Sequence, residues 1–320
     1  MRNLAMVLAG IAMIALAVRP SAAADANAPL VIGYVTKSAT NQGWVLINNG
    51  AAAAARAAGV RLIVAGPTGQ GALSSQIEAI ERVIGEGAKA VAIAPVDSIG
   101  VIPVIRRESA RGIPFVAVDT AIEGNYAKSY VATDNLAAAA DQAEWVAKQI
   151  GDTDQVILVN GDQRQSTGDE RRLGFLDRLN QLKPNAAVIE VATHFDAEEA
   201  RTGVLAALRA HPKAAVIATA WDDGTLGSVA AMRALGYGKG RVRVIGFDAA
   251  PNALALLRAG WIQADVAQML YRQGYEGVRI AIAAAKGEAV PARVDTGHQL
   301  VTEENLERFI SENGLAQFME

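Results

Sequence analysis

Short apolar or β-branched runs recur along the chain about every 25 to 30 residues, and Ala-rich amphipathic segments fill the gaps. The runs cover residues 30–35, 61–65, 88–94, 114–118, 129–132, 155–159, 186–191, 214–218, 241–247 and 264–267. Each has the length of a strand buried on both faces. The segments between them, such as 44–58, 73–86, 135–150, 169–182 and 198–210, have the length of ordinary amphipathic helices. Strand–helix–strand order predicts parallel sheets with helices on both faces, and small residues let those helices lie close to the sheets. Ten such units exceed one ordinary open sheet, so two α/β domains are expected. No sequence repeat is strong enough to suggest a solenoid.

Composition removes whole classes of function. With 51% hydrophobic and 20% charged residues, the chain is too apolar for a disordered protein. Zero cysteines exclude disulfides, thiolate metal sites, a cysteine nucleophile and a lipid-modified N-terminal cysteine. A net charge of −3, with basic residues scattered, offers no footprint for a phosphate backbone, and no nucleic-acid partner is expected. At the N-terminus, Arg2 precedes an apolar run from Leu4 to Val18, and Ala22-Ala23-Ala24 precede Asp25. The run is about 15 residues, short of the roughly 20 that a spanning helix needs. Residues 1–24 therefore read as a secretory signal peptide cleaved after Ala24, the alternative being an uncleaved anchor. A soluble, unanchored periplasmic product is expected.

In open parallel sheets, ligands collect at the loops after the carboxyl ends of the strands. Those positions here hold carboxylates, amides, Trp44 and Trp221, with Arg171 and Arg172 on a following helix, and no His or Cys. Carboxylates accept, guanidinium groups donate in a fork, amides do both, and indoles offer a flat apolar face. A polyhydroxylated ring needs all of these, so sugar recognition is the first reading. Gly66-Pro-Thr-Gly-Gln-Gly71 has phosphate-loop spacing, but Ala72-Leu73 replace the Lys and Ser/Thr that would reach phosphate and magnesium. Neither a nucleotide nor any other cofactor or metal is expected. His194, His211 and His298 are isolated, and no nucleophile elbow or zinc-protease pattern accompanies them. Asp222-Asp223 is the obvious adjacent carboxylate pair for a secreted glycoside hydrolase, a different class from a binding protein. Neighbours at a helix start point in different directions, so Asp223 is assigned to capping and Asp222 to ligand.

In order along the chain stand Ile32-Gly-Tyr-Val35, Asn41-Gln-Gly-Trp44, Gly66-Pro-Thr68, Ala94-Pro-Val-Asp97, Gly112-Ile-Pro114, Val118-Asp119, Thr133-Asp-Asn135, Arg171-Arg-Leu-Gly-Phe175, Gly246-Phe-Asp248 and Ala267-Gln268. Together they resemble the ribose-binding type of periplasmic solute-binding protein, the capture component of ABC sugar importers. The resemblance implies an α/β fold of the type 1 periplasmic binding protein: two similar Rossmann-like parallel-sheet lobes joined by a three-strand hinge. It places 25–132 plus 269–292 in the first lobe and 133–268 plus 293–320 in the second. It implies a monomer that closes on a carbohydrate without changing it, then meets an ABC permease, with a chemoreceptor as a further partner. Transcription regulators of the lactose-repressor class share the fold, but here a signal peptide stands where those carry a DNA-reading element.

Carried over by position, the resemblance implies that Asn41 and Gln268 supply amides, and that Trp44 and Phe195 sandwich the sugar ring. It gives Asp119 and Asp248 as acceptors and Arg171 as a guanidinium from the other lobe; Trp221 and Asp222 complete the expected ligand set. Gly43, Thr120, Asp169 and Trp221 depart from the ribose pattern, replacing an aromatic, two arginines and an asparagine. These changes point to another hydroxyl pattern: a deoxy sugar, a hexose or a polyol. A furanosyl autoinducer is the alternative ligand, because Gly66-Pro-Thr68 also occurs in that branch.

Overall fold

The computed structural model describes residues 29–38, 41–66 and 72–319. The expected signal peptide at 1–24 and most of the glycine-rich stretch at 66–71 lie outside the described residues. The first part of the chain forms β1 (Val31–Val35), α1 (Gln42–Ala57), β2 (Arg61–Ala65), α2 (Leu73–Gly85), β3 (Val91–Ile93), α3 (Ile102–Ser109), β4 (Phe115–Val118) and β5 (Ser129–Ala132). There follow α4 (Asn135–Gln149), β6 (Gln155–Val159), α5 (Ser166–Leu182), β7 (Ala187–Val191), α6 (Ala197–Ala210), β8 (Val216–Thr219), α7 (Asp222–Ala234), β9 (Arg243–Asp248), α8 (Pro251–Arg258) and β10 (Ala264–Gln268). The chain ends with α9 (Leu270–Ala285), β11 (Arg293–Asp295), β12 (His298–Thr302) and α10 (Leu306–Glu312).

These strands make two six-stranded sheets of matching order, β2-β1-β3-β4-β5-β11 and β7-β6-β8-β9-β10-β12. All pairings are parallel except β10 with β12. The inner strands β4 and β8 are buried at every position, as their unbroken apolar sequence requires. The chain passes between sheets three times: after β5, after β10 and between β11 and β12. Gln273 ties the first two crossings together, donating to Thr133 Oγ1 at 3.0 Å and to Gln268 Oε1 at 2.9 Å.

Three features differ from the sequence expectation. Arg293–Asp295, placed with the second lobe, pairs instead with β5 in the first sheet, so the third crossing follows residue 295. Neither β11 nor β12 carries a buried apolar run, because each lies at a sheet edge and exposes most of its residues in part. Helix α5 begins at Ser166, three residues before the apolar periodicity starts. Of these, Thr167 borders the space between the lobes, and Ser166 Oγ accepts from the Ala121 amide of the first lobe.

Small residues bring α1 against α9. A Cβ on Gly274 would overlap the Ile47 carbonyl oxygen, and one on Gly50 would overlap the Tyr271 carbonyl oxygen. Backbone thus meets backbone, and neither side can yield by turning a side chain. Gly274→Ala is expected to cost about 3 kcal/mol, the upper end of ordinary overpacking. At roughly 2–4 °C per kcal/mol, the thermal midpoint should fall by about 6–12 °C. A midpoint unchanged in calorimetry would show that the helices separate without penalty.

Candidate functional site

The carboxyl ends of the two sheets face each other across a cavity of about 380 Å³. From the first lobe, Lys37, Asn41 and Trp44 reach it after β1, and Asp119 reaches it after β4. From the second come Gln165, Arg171, Phe195, Trp221, Asp223 and Asp248, with Gln268 beside the second crossing. Eight of the nine expected ligand residues therefore gather around one space: Asn41, Trp44, Asp119, Arg171, Phe195, Trp221, Asp248 and Gln268. Asp222 does not. Its side chain turns into the second lobe, where Oδ2 accepts from the Ala250 amide at 2.7 Å. Its neighbour Asp223 makes no capping hydrogen bond; its Oδ2 accepts from Asn41 Nδ2 across the cleft at 2.7 Å. Neither aspartate takes its expected role: α7 begins at Asp222 without a side-chain cap, Asp222 turns inward, and Asp223 turns toward the cleft.

Charge in the cleft is paired. The Lys37 ammonium lies 3.0 Å from Asp119 Oδ2 and donates to Thr120 Oγ1 at 2.5 Å and Gln165 Oε1 at 2.6 Å. Burial draws the lysine below its usual range, with Asp119 opposing the shift. Burial pushes the Asp119 carboxyl up, but the Lys37 and Arg171 charges outweigh it and hold the group below the ordinary carboxylate value. Arg171 donates through Nε to Asn135 Oδ1 at 2.9 Å and through Nη1 to the Ala220 carbonyl at 2.7 Å. Its Nη1 also lies 3.4 Å from Asp248 Oδ1, and its guanidinium covers the Phe247 ring at 4.1 Å. Burial pushes Asp248 up to about 6, against the pull of Arg171 and a 2.6 Å hydrogen bond from Gln268. Among the described residues no group of His, Cys, Asp and Glu is arranged to hold a metal ion.

The family model described as "Periplasmic binding protein domain" matches residues 32–289. The chain belongs to this family. It is a solute-binding protein of the ribose-binding type, not an enzyme. The ribose import binding protein RbsB of Salmonella typhimurium is 27% identical over 287 residues, covering 90% of this chain and 95% of that one. Among solved structures, an Agrobacterium vitis solute binding protein bound with α-D-tagatopyranose superposes with a TM-score of 0.82 at 27% identity, covering 91% of this chain and 99% of that one. The Caulobacter myo-inositol binding protein bound to myo-inositol gives 0.82 at 28%, covering 88% and 97%.

The lobes of this binding protein are closed on each other. Besides Lys37 to Gln165 and Asn41 to Asp223, the Ser98 amide donates to the Arg164 carbonyl at 3.0 Å and the Ala121 amide to Ser166 Oγ at 2.9 Å. Beyond the rim, the Asn252 amide donates to Gln42 Oε1 at 2.8 Å. Trp44 and Phe195 line the cavity from opposite lobes, and Phe195 meets Trp221 edge-on at 5.4 Å and 88°. Three cleft residues, Asp119 (φ 63°), Phe195 (φ 59°) and Asp248 (φ 118°), hold positive φ, a conformation that L-residues adopt at a cost and that gathers at functional sites. Sequence reasoning missed Lys37, Gln165 and Asp223. The available signal for Lys37 was position: it is the only cation in the loop directly after β1.

Proposed function

We propose that this chain is the periplasmic substrate-binding component of an ABC importer that closes on one monosaccharide or inositol-like polyol and passes it to a membrane permease. The observation that carries the reading is the pairing of Lys37 with Asp119 and Arg171 with Asp248 around one cavity also lined by Trp44, Phe195 and Trp221. Each pair sets donors beside acceptors, which is what vicinal hydroxyls require, while the rings cover C–H faces. The cavity is near the small end of ligand sites and suits a single ring rather than an oligosaccharide. The relatives' printed ligands, ribose, tagatose and myo-inositol, belong to that class. Residues 1–24, with the pattern of an export signal, agree with a periplasmic location.

Hydrogen bonds between the lobes supply part of the closed state, and a ligand touching both lobes supplies the rest through contacts that the open form lacks. A thermal-shift screen with D-ribose, D-allose, D-tagatose, deoxy sugars, myo-inositol and a furanosyl autoinducer tests the reading. A sugar or polyol present at 100 times its Kd should stabilise the protein by about 2.7 kcal/mol. The same compound should change tryptophan fluorescence, since Trp44 and Trp221 line the cavity. Response to the autoinducer alone would favour the signalling reading. A panel that moves neither signal would overturn both.

A further inference from the structure

Two acidic side chains lie behind the cleft, buried and facing each other. Asp222 opens α7, and Asp265 sits in β10 opposite Gly246 of β9. Their side chains occupy the space that the missing Gly246 side chain leaves: a Cβ there would overlap Asp265 Oδ2 and come within 2.9 Å of Asp222 Oδ1. Among the described residues those two oxygens have no donor, although Asp222 is 2% and Asp265 0% exposed. Unpartnered buried carboxylate oxygens are costly, and one proton between them satisfies both. The opposite oxygens accept from consecutive amides, Ala250 to Asp222 Oδ2 at 2.7 Å and Ala249 to Asp265 Oδ1 at 3.0 Å. Both amides belong to the turn after β9, where Asp248 and Ala249 hold φ of 118° and 55°. Two successive residues in that region need external support.

We propose that Asp222 and Asp265 share a single proton, and that this bridge is the positioning device that holds the 248–250 turn and so aims the Asp248 carboxylate into the cleft. Asp248 is the charged group facing the pair from β9. Arg171 of α5 reaches Asp248 and the Ala220 carbonyl rather than the pair. The other neighbours are neutral: Gln142 of α4 donates to the Thr219 and Gly246 carbonyls, Thr225 of α7 bonds Thr219, and Val301 of β12 lies opposite Asp265. Burial pushes both carboxyls above the usual range; the nearby Asp265 charge adds to the rise at Asp222, and Asp248 adds to the rise at both. The native state therefore keeps a proton that the unfolded chain releases near pH 4. The pair's stabilisation is full below that pH and is lost as pH rises through its native titration. Once the proton leaves, two like charges repel in a buried space, and the turn that they hold loosens.

Hydrogen–deuterium exchange on the ligand-free full chain tests this, read at residues 249 and 250 from pH 6 to pH 10 and corrected for the intrinsic rate. Protection should fall by about tenfold or more as pH rises, the effect of one unit of coupling between the groups. Asp265→Asn should remove that pH dependence, because its amide donates to Asp222 at every pH while its oxygen still accepts from Ala249. Asp222→Asn should behave alike and serves if the first variant does not fold. A flat wild-type profile, or the same slope in wild type and in the folded variant, would overturn the proposal. The idea gives the proposed sugar site its aim, but the measurement uses no sugar, so its failure is separate from failure of the ligand reading.

Discussion

Asp119→Ala is expected to abolish saturable binding of the sugar or polyol that the wild-type protein takes, and to lower stability by about 3–5 kcal/mol, the cost of leaving one member of a buried ion pair alone. The Lys37 and Asp119 side chains are 6% and 7% exposed, so the ammonium left behind is poorly solvated. Thr120 and Gln165 still accept from the ammonium, but they supply no charge. At roughly 2–4 °C per kcal/mol, the thermal midpoint should fall by about 6–20 °C. Lys37→Met combined with Asp119→Leu separates the two effects. Removing both charges together should recover most of the stability, since well-packed apolar residues often replace a buried pair without loss. It should recover none of the binding, because the proposed acceptor and donor for ring hydroxyls are both gone. Calorimetric titration reads the binding and thermal melting the stability. Unchanged affinity in the single variant would remove Asp119 from the site.

The two-lobed α/β architecture was legible because apolar runs of strand length alternate with amphipathic ones, and that period needs no tertiary information. Eight of the nine residues expected from strand-end position and resemblance line one cavity. What the sequence hid depends on geometry finer than an element. Asp222 and Asp223 are adjacent carboxylates of one type, and only the helix start decides which faces the cleft. The positive φ at Asp119, Phe195 and Asp248 leaves no compositional trace, since none is Gly or Asn. Lys37 reads as an ordinary surface cation until the fold places it beside Asp119, 82 residues later. Asp265 stood unremarked inside an apolar run of strand length, although its depth is what makes the proton between it and Asp222 worth keeping.

Arg171 is the second position where one substitution should undo the site. Its guanidinium makes directed contacts to Asn135, the Ala220 carbonyl and Asp248 while lying flat on Phe247. A lysine offers a point charge with rotating donors and cannot reproduce that fork, so Arg171→Lys is expected to weaken binding by about 100-fold, near the 2–3 kcal/mol of a lost charged hydrogen bond. Arg171→Ala goes further, because Asp248 then keeps Gln268 but no cation. Arg171 now opposes the effect of burial on that carboxyl, which sits at about 6. Without it, the native value rises further above the unfolded one, and stability contributed by the protonated form is lost as pH rises through that higher value. The variant should therefore lose more stability between pH 6 and pH 8 than the wild type does, beyond any slope that the Asp222–Asp265 pair gives to both. Adding Asp248→Asn should remove the excess slope, since an amide does not titrate. If Arg171→Ala melts with the wild-type pH slope and binds within threefold, Arg171 is neither the counter-ion of Asp248 nor a donor to the ligand.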